Sequence, residues 1–409
     1  MSCLSMLATV ILCEYLVSSA ALAWTPRQST WRQVSIVSLI LLAIPEIRLL
    51  SFLPGPELLR GVVAFSCLIK LVHFSSLFLV LQVEIHQLVA HPASASSLTR
   101  LGAALNCVTS TRGIGTPWEV KKTGPSCRES SHKTPPYLVK SLLALVWQYM
   151  AIDLLSFGAV KYVHREWPGA LATGAEFLGP GSTREQLLAR IPLCCILVAN
   201  LRLLFAMVYG ALATISVLLG LTAPQDWPPL FGSVRHLQTF CIRSFWATYW
   251  HQLLRWPLLT ISRDIRRRLR FRCTGSSSRQ AQNVVDLFLV FSLSGVFHVL
   301  SAAYAGVPGL GAIYLFFLAN SVVITVETVY RARLDGSERP GRMNWPGFLW
   351  KLTWPYVCLP WFAYPALRLP VKKNAVMPFS FVEEFGSPAV LGMLAAGGIV
   401  WRFIGGETF

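Results

Sequence analysis

This sequence predicts an all-α integral membrane protein, a multi-spanning helical bundle of about nine spans. Three observations predict it. The 409 residues are 54% hydrophobic and only 13% charged, which is about half the charged fraction of an ordinary soluble domain. The mean hydropathy is +0.53. The apolar residues fall in runs long enough to cross a bilayer as helices, the form in which lipid-exposed backbone satisfies its own hydrogen bonds.

The expected spans cover residues 3–23, 34–53, 61–83, 138–160, 191–221, 284–304, 310–330, 348–364 and 388–403. The first ends in Ala21-Leu22-Ala23, which looks like a cleavage site. It lacks a basic leader and Glu14 interrupts its apolar core, so a retained helix is expected. The second contains Pro45, Glu46 and Arg48, and a shorter or kinked helix is expected there. The fifth is longer than a bilayer requires. Segment 94–136 is rich in Ser, Thr, Gly and Pro and is expected to form a mobile cytosolic loop. No internal repeat is visible.

Charge orients the bundle. Lys and Arg number 36 against 19 Asp and Glu, a net charge of +17. The loop at 222–283 is the strongest cytosolic signal, with Arg235, Arg243, Arg255, Arg263, Arg266, Arg267, Arg268, Arg270, Arg272 and Arg279 against Asp226 and Asp264. Alternation outward from it puts 24–33, 84–137 and 331–347 in the cytosol, with a lumenal N-terminus and a cytosolic C-terminus. The surplus is therefore read as positive-inside anchoring and not as nucleic-acid binding, for which no motif is present. The ten cysteines include no CxxC pair and mostly lie in apolar runs. They read as small buried hydrophobes, not as a metal site or a disulfide framework.

Two motifs carry chemistry. The first is the aromatic, basic string at 244–255. Read as one helix, it puts Trp246, Trp250 and Leu253 or Leu254 on one face and His251 with Arg255 on another, with Pro257 limiting the helix beyond. By itself this string reads more readily as an aromatic belt at the membrane interface. The second is Val290-Phe-Ser-Leu-Ser-Gly-Val-Phe-His298, which places a histidine within an apolar run. An ionisable side chain at that depth is costly and needs a reason. Ser294 and His298 share a face, and Gly295 permits close approach of a neighbour. A neutral histidine can accept and return a proton near pH 7. A core histidine bonded to another helix is the duller alternative. Glu14, Glu46, Lys70, His73 and Asp153 also fall within spans, and Lys70 and His73 share a face on which an acid from a neighbouring helix could pair.

Together, Phe245-Trp246-x-x-x-Trp250-His251-Gln252-x-x-Arg255 and Phe291-x-x-Ser294-Gly295-x-x-His298 resemble the wax synthase-like branch of the membrane-bound O-acyltransferase superfamily. The resemblance covers 231–330. It implies N-terminal helices over 1–230 with a cytosolic loop near 84–137, a catalytic core at 231–330, and C-terminal helices over 331–409. It implies an internal tunnel, with acyl-CoA entering from the cytosol and a lipophilic alcohol from the membrane. It makes His298 the catalytic base and gives His251, often Asn elsewhere in the superfamily, an oxyanion-type role. Trp250, Gln252, Arg255, Ser294 and Gly295 become substrate-binding residues. No metal and no bound cofactor are implied; acetyl-CoA or another acyl-CoA is a co-substrate. The short chain and its Trp-His-Gln resemble fungal O-acetyltransferases of terpenoid and meroterpenoid pathways, and the expected location is the endoplasmic reticulum membrane. A long-chain wax ester synthase is the alternative within the class. A transporter is the rival from another class, although it needs no such pair of motifs.

Overall fold

The computed structural model describes residues 2–53, 55–89, 91–92, 94–114, 116–119, 134–232, 242–269, 278–333, 345–374 and 376–403. Every regular element among them is a helix. α1 (Cys3–Trp24) and α2 (Thr30–Ser51) form the first hairpin, and the hydroxyls of Ser2 and Ser29 cap their opening turns. α2 runs unbroken through Pro45 for 22 residues. α3 (Glu57–Ser75) continues into a π-helical turn at Ser76–Val80. α4 (Ser97–Thr109) lies within the stretch expected to be a loop, and that expectation is corrected here. Its Ala104, Cys107 and Val108 are buried in the core shared with α1 and α3. The polar composition hid this apolar face. Residues 120–133 of the expected loop lie outside the described residues.

α5 (Thr134–Asp153) passes through a π turn at Leu154–Ala159 into α6 (Val160–Glu166). α7 (Arg184–Leu218) is 35 residues long, consistent with the long fifth span, and opens with a reciprocal cap between Thr183 and Gln186. α8 (Ile242–Ser244) leads into a π turn at Phe245–Tyr249, and α9 (Arg255–Arg268) follows after a break. α10 (Ser278–Tyr304), α11 (Leu310–Arg333), α12 (Trp345–Leu367), α13 (Val371–Asn374), α14 (Phe381–Phe385) and α15 (Ser387–Phe403) complete the order.

Each of the nine expected spans falls on a helix. Among the described residues seven helical stretches have the length and apolarity to cross a membrane: Cys3–Trp24, Thr30–Ser51, Glu57–Val80, Thr134–Glu166, Arg184–Leu218, Arg279–Tyr304 and Leu310–Tyr330. α12 and α15 occupy the last two expected positions, and the apolar part of α15 is the short Ser387–Gly398.

α10 sits at the centre, packed against α11, α3 and α9. Two glycines set those distances. A Cβ on Gly295 would lie 2.9 Å from Tyr314 Cδ2 and 3.1 Å from Phe317 Cβ on α11. A Cβ on Gly61 would lie 2.8 Å from Ala305 Cβ just past the end of α10, where the Ser301 hydroxyl also donates to the Gly61 carbonyl at 2.7 Å.

The charges within the spans are mostly structural pairs, as buried charges need partners. Lys70 donates to both Glu46 oxygens at 2.8 and 2.9 Å and also pairs with Glu14, tying α3 to α2 and α1. His73 does not share that acid. Its ring packs against Trp256 at 5.0 Å. Asp153 accepts from the Val382 N–H at 2.9 Å. Cys67, Cys107, Cys194 and Cys358 are buried, whereas Cys195 is exposed. Cys127, Cys241 and Cys273 lie outside the described residues.

Candidate active site

His298 stands on the unbroken helix α10. Its Nδ1 lies 2.7 Å from the Ser294 carbonyl oxygen one turn earlier. A carbonyl only accepts, so this network assigns the ring proton to Nδ1 and leaves the lone pair on Nε2. The ring is held between Phe65 and Phe317, at centroid distances of 4.6 and 4.4 Å, with Phe362 at 5.7 Å. Ser294 thus orients His298 through its backbone.

His251 is placed in a different way. The expected continuous helix over 244–255 is not formed. The chain makes a π turn, closed by the Trp250 N–H on the Phe245 carbonyl at 2.8 Å, and Trp250 then turns extended. Helical carbonyls that would have accepted from the next turn are taken by side chains instead. Gln252 Nε2 donates to the carbonyls of Trp246 at 3.0 Å and Trp250 at 2.6 Å. Arg255 donates to the Ala247 carbonyl at 2.8 Å and to Gln252 Oε1 at 3.1 Å. Pro257 falls in the first turn of α9, where its missing N–H costs nothing, so it opens the second helix and does not close the first. His251 sits in the break. Its ring packs on Phe205 at 4.7 Å and Trp250 at 5.4 Å. The string is therefore not an interfacial helix: Trp250 and Gln252 are 9% and 1% exposed.

Polar residues on α11 secure this segment. Glu327 accepts from the N–H groups of Ile242 at 2.8 Å and Arg243 at 3.0 Å, a carboxylate on a helix N-terminus, and from Trp350 Nε1 at 3.0 Å. Asn320, two helical turns earlier, accepts from Trp246 Nε1 at 3.1 Å and Trp354 Nε1 at 3.2 Å. Sequence reading missed both. Their spacing of seven within an apolar span was the available signal.

The two histidines line one cavity of about 590 Å³. Trp250, Gln252, Arg255 and Ser294 line it as well. Gly295 is not among the lining residues and contacts α11 instead. Burial, with His298 as the lesser cause, pulls His251 below the usual imidazole range. The polar lining gathers at one end, where α10 begins and α11 finishes: Gln280, Asn283, Asp286, Thr325 and Thr328, with Arg243, Arg255 and Arg263. Asp286 is bound to Arg266 at 2.7 Å and lies 3.8 Å from Arg263. Arg243 and Arg255 form no ion pair among the described residues. Arg255 is held below the usual guanidinium range by burial and then by Arg243. Of the loop arginines at 263–272, Arg263 reaches the cavity, Arg268 pairs with Asp264 at 2.6 Å, and Arg270 and Arg272 lie outside the described residues. The opposite end is apolar, lined from α3, α7 and α12.

A chamber within the helical bundle, with two histidines and an arginine-lined end, defines an enzyme-like site. Residues 227–319 match the model of the membrane bound O-acyl transferase family. The chain is 30% identical over 328 residues to acetyltransferase atnC of Arthrinium sp, covering 76% of this chain and 74% of that one. It is 29% identical over 426 residues to acetyltransferase pyr8 of Aspergillus fumigatus, covering 98% and 94%. It is 29% identical over 316 residues to acetyltransferase TRI7 of Fusarium sporotrichioides, covering 71% and 70%. The chain belongs to the membrane-bound O-acyltransferase family and is an integral-membrane O-acyltransferase that uses an acyl-CoA co-substrate.

Proposed function

We propose that the protein transfers acetyl from acetyl-CoA to a hydroxyl of a terpenoid or meroterpenoid, with His298 as the general base. One observation carries the reading: His298, its tautomer fixed by the Ser294 carbonyl, shares a cavity with His251. Nε2 of His298 takes the proton of the acceptor hydroxyl as its oxygen attacks the thioester carbonyl. His251 donates to the oxygen that gains negative charge. The tetrahedral intermediate collapses, the C–S bond breaks, and the CoA thiolate recovers the proton from His298. Ester and CoA are the products.

The arginine-lined end receives the CoA phosphates, since Arg suits phosphate geometry. Arg243 and Arg255 are close, have no carboxylate partner among the described residues, and are suited to share an anion. Gln252 and Arg255 also hold the break that carries His251, so their contribution includes positioning. Trp250 and Ser294 line the chamber wall, and Gly295 sets the helix spacing behind it. The relatives matched over two thirds of their length bear the name acetyltransferase, which favours a short acyl group over the long chain of a wax ester synthase. The proposed location is the endoplasmic reticulum membrane with the arginine-lined end facing the cytosol.

The test uses membranes containing wild-type protein or His298→Ala, supplied separately with acetyl-CoA and palmitoyl-CoA and with terpenoid and fatty alcohols. Ester product is followed by mass spectrometry. Acetyl ester of a terpenoid, lost in the variant at equal protein abundance, is the expected result. Ester from palmitoyl-CoA and fatty alcohol alone would replace this reading with wax synthesis. Ester that persists in the variant would remove His298 from its role.

A further inference from the structure

The apolar end of the chamber contains one polar side chain that nothing so far accounts for. The lining from α3 is Leu58, Val62 and Phe65, and that from α12 is Leu359, Phe362, Ala366 and Leu367. α7 contributes apolar side chains as well, with one exception, Asn200. Its Oδ1 is buried without a hydrogen-bond partner, and its side chain makes no hydrogen bond among the described residues. The position lies mid-span, sixteen residues into Arg184–Leu218. A carboxamide oxygen enclosed there without a partner is unfavourable. A leucine would fill the wall without that cost. Oδ1 is enclosed, whereas Nδ2 is not among the enclosed atoms and donates to nothing among the described residues, so this free donor is what an entering molecule can satisfy.

Its place along α7 says what that is. Phe205, whose ring packs on His251, is five residues further on, an axial rise of about 8 Å. Asn200 is thus displaced from the reacting centre towards the apolar end, away from Arg243, Arg255 and Arg263. A polar atom of the CoA moiety would have its matching charges at the other end. The acceptor is the substrate that fills the apolar end.

Building on the acetyltransferase reading above, we propose that Asn200 is a specificity-determining residue that hydrogen-bonds a second oxygen of the acceptor, a ketone or hydroxyl across the ring system from the hydroxyl that is acetylated. The Nδ2 donor serves a ketone or a hydroxyl oxygen alike, since both accept. Acceptors without the second oxygen leave Asn200 unsatisfied and bind less well.

The experiment compares wild type with Asn200→Leu and Asn200→Gln on pairs of polycyclic alcohols that differ in one remote oxygen. A steroidal 3-alcohol with and without a 17-ketone is the first pair. Acetyl-CoA is varied separately, and detergent-solubilised protein is checked for thermal stability. Wild type is expected to prefer the oxygenated partner. Asn200→Leu is expected to shrink that preference, the ratio of kcat/KM values, by tenfold or more, through KM of the acceptor and not KM of acetyl-CoA. Asn200→Gln is expected to retain part of it. An equal fall for both partners of every pair would mark Asn200 as a packing residue and overturn the proposal. So would a preference unchanged in Asn200→Leu. If wild type esterifies fatty alcohols but no polycyclic alcohol, the acetyltransferase reading itself fails, which is a different result from either.

Discussion

The two histidines reach the same chamber by opposite means, and the difference separates what is rigid from what is assembled. His298 rides on α10, a continuous helix wedged between α3 and α11, and its orienting partner is its own helix backbone. His251 sits in a break between a π turn and α9, and that break is held by side-chain bonds, some local and some from α11. Gln252 and Arg255 saturate the carbonyls before it, and Glu327 and Asn320 on α11 fix the segment's start. α9 beyond it is pinned by Trp256 Nε1 on the Thr111 carbonyl at 2.6 Å and by the Ser76 hydroxyl on the Pro257 carbonyl at 3.2 Å. One histidine is placed by a helix, the other by a network. π turns recur where a helix must deliver a residue to a functional position.

The comparison is broken most directly at the histidines. His298→Ala is expected to lower turnover by about 10³-fold, as for removal of a general base. His298→Gln is expected to do no better, because an amide does not take the proton. His251→Ala is expected to cost about 10²-fold, as for loss of one oxyanion donor. His251→Asn retains a donor and is expected to keep turnover within about tenfold of wild type. Single-turnover assays on equal amounts of folded protein check all four. Equal losses in His251→Ala and His251→Asn would take away the donor role and leave a packing role.

Next in size is the network. Glu327 receives two backbone N–H groups and an indole N–H. Glu327→Gln replaces bonds to a charged acceptor, about 1.5–3 kcal/mol each, by weaker neutral ones. Turnover is expected to fall about tenfold, with a lowered Tm. His251→Ala and Glu327→Gln act on one unit, so the double variant is expected to lose less than the product of the two. A double-mutant cycle combining Glu327→Gln with His298→Ala is expected to be closer to multiplicative. The reverse pattern would tie Glu327 to α10 and dissolve the distinction.

The same contrast explains what was legible in the sequence. Helical periodicity and apolar run length depend on local pattern, so the spans and the shared face of Ser294 and His298 could be read directly. The break at His251 could not. Pro257 signals a helix boundary, but sequence does not say on which side of it the helix lies, and the tertiary partners that stabilise the break are some 70–85 residues away. The part that Gln252 and Arg255 play in holding the break was not visible either, because their bonds to the carbonyls of Trp246, Ala247 and Trp250 exist only once the π turn forms. α4 was lost for a different reason. Its apolar face is three residues wide in a polar segment, too little to stand out from loop composition.

The smallest expected effects come from the two glycines that set α10 in place, and they sharpen the comparison because they press on α10 at different distances from the base. Gly295→Ala puts a methyl against Tyr314 and Phe317, and Gly61→Ala puts one against Ala305 and the Ser301 carbonyl. Each overpacks a tight helix contact at a cost of about 1–3 kcal/mol, read as a lowered Tm. Their effects on catalysis are expected to differ. Gly295 is the neighbour of Ser294, whose carbonyl orients His298, and Phe317 touches both the new methyl and the His298 ring. Gly61 bears on the end of α10, beyond the base. At matched loss of stability, Gly295→Ala is expected to reduce turnover several-fold more than Gly61→Ala, with KM for acyl-CoA alike in both. Turnover that tracks only the amount of folded protein in both variants would mean that α10 tolerates displacement at the base, and that His298 is less rigidly placed than its helix implies.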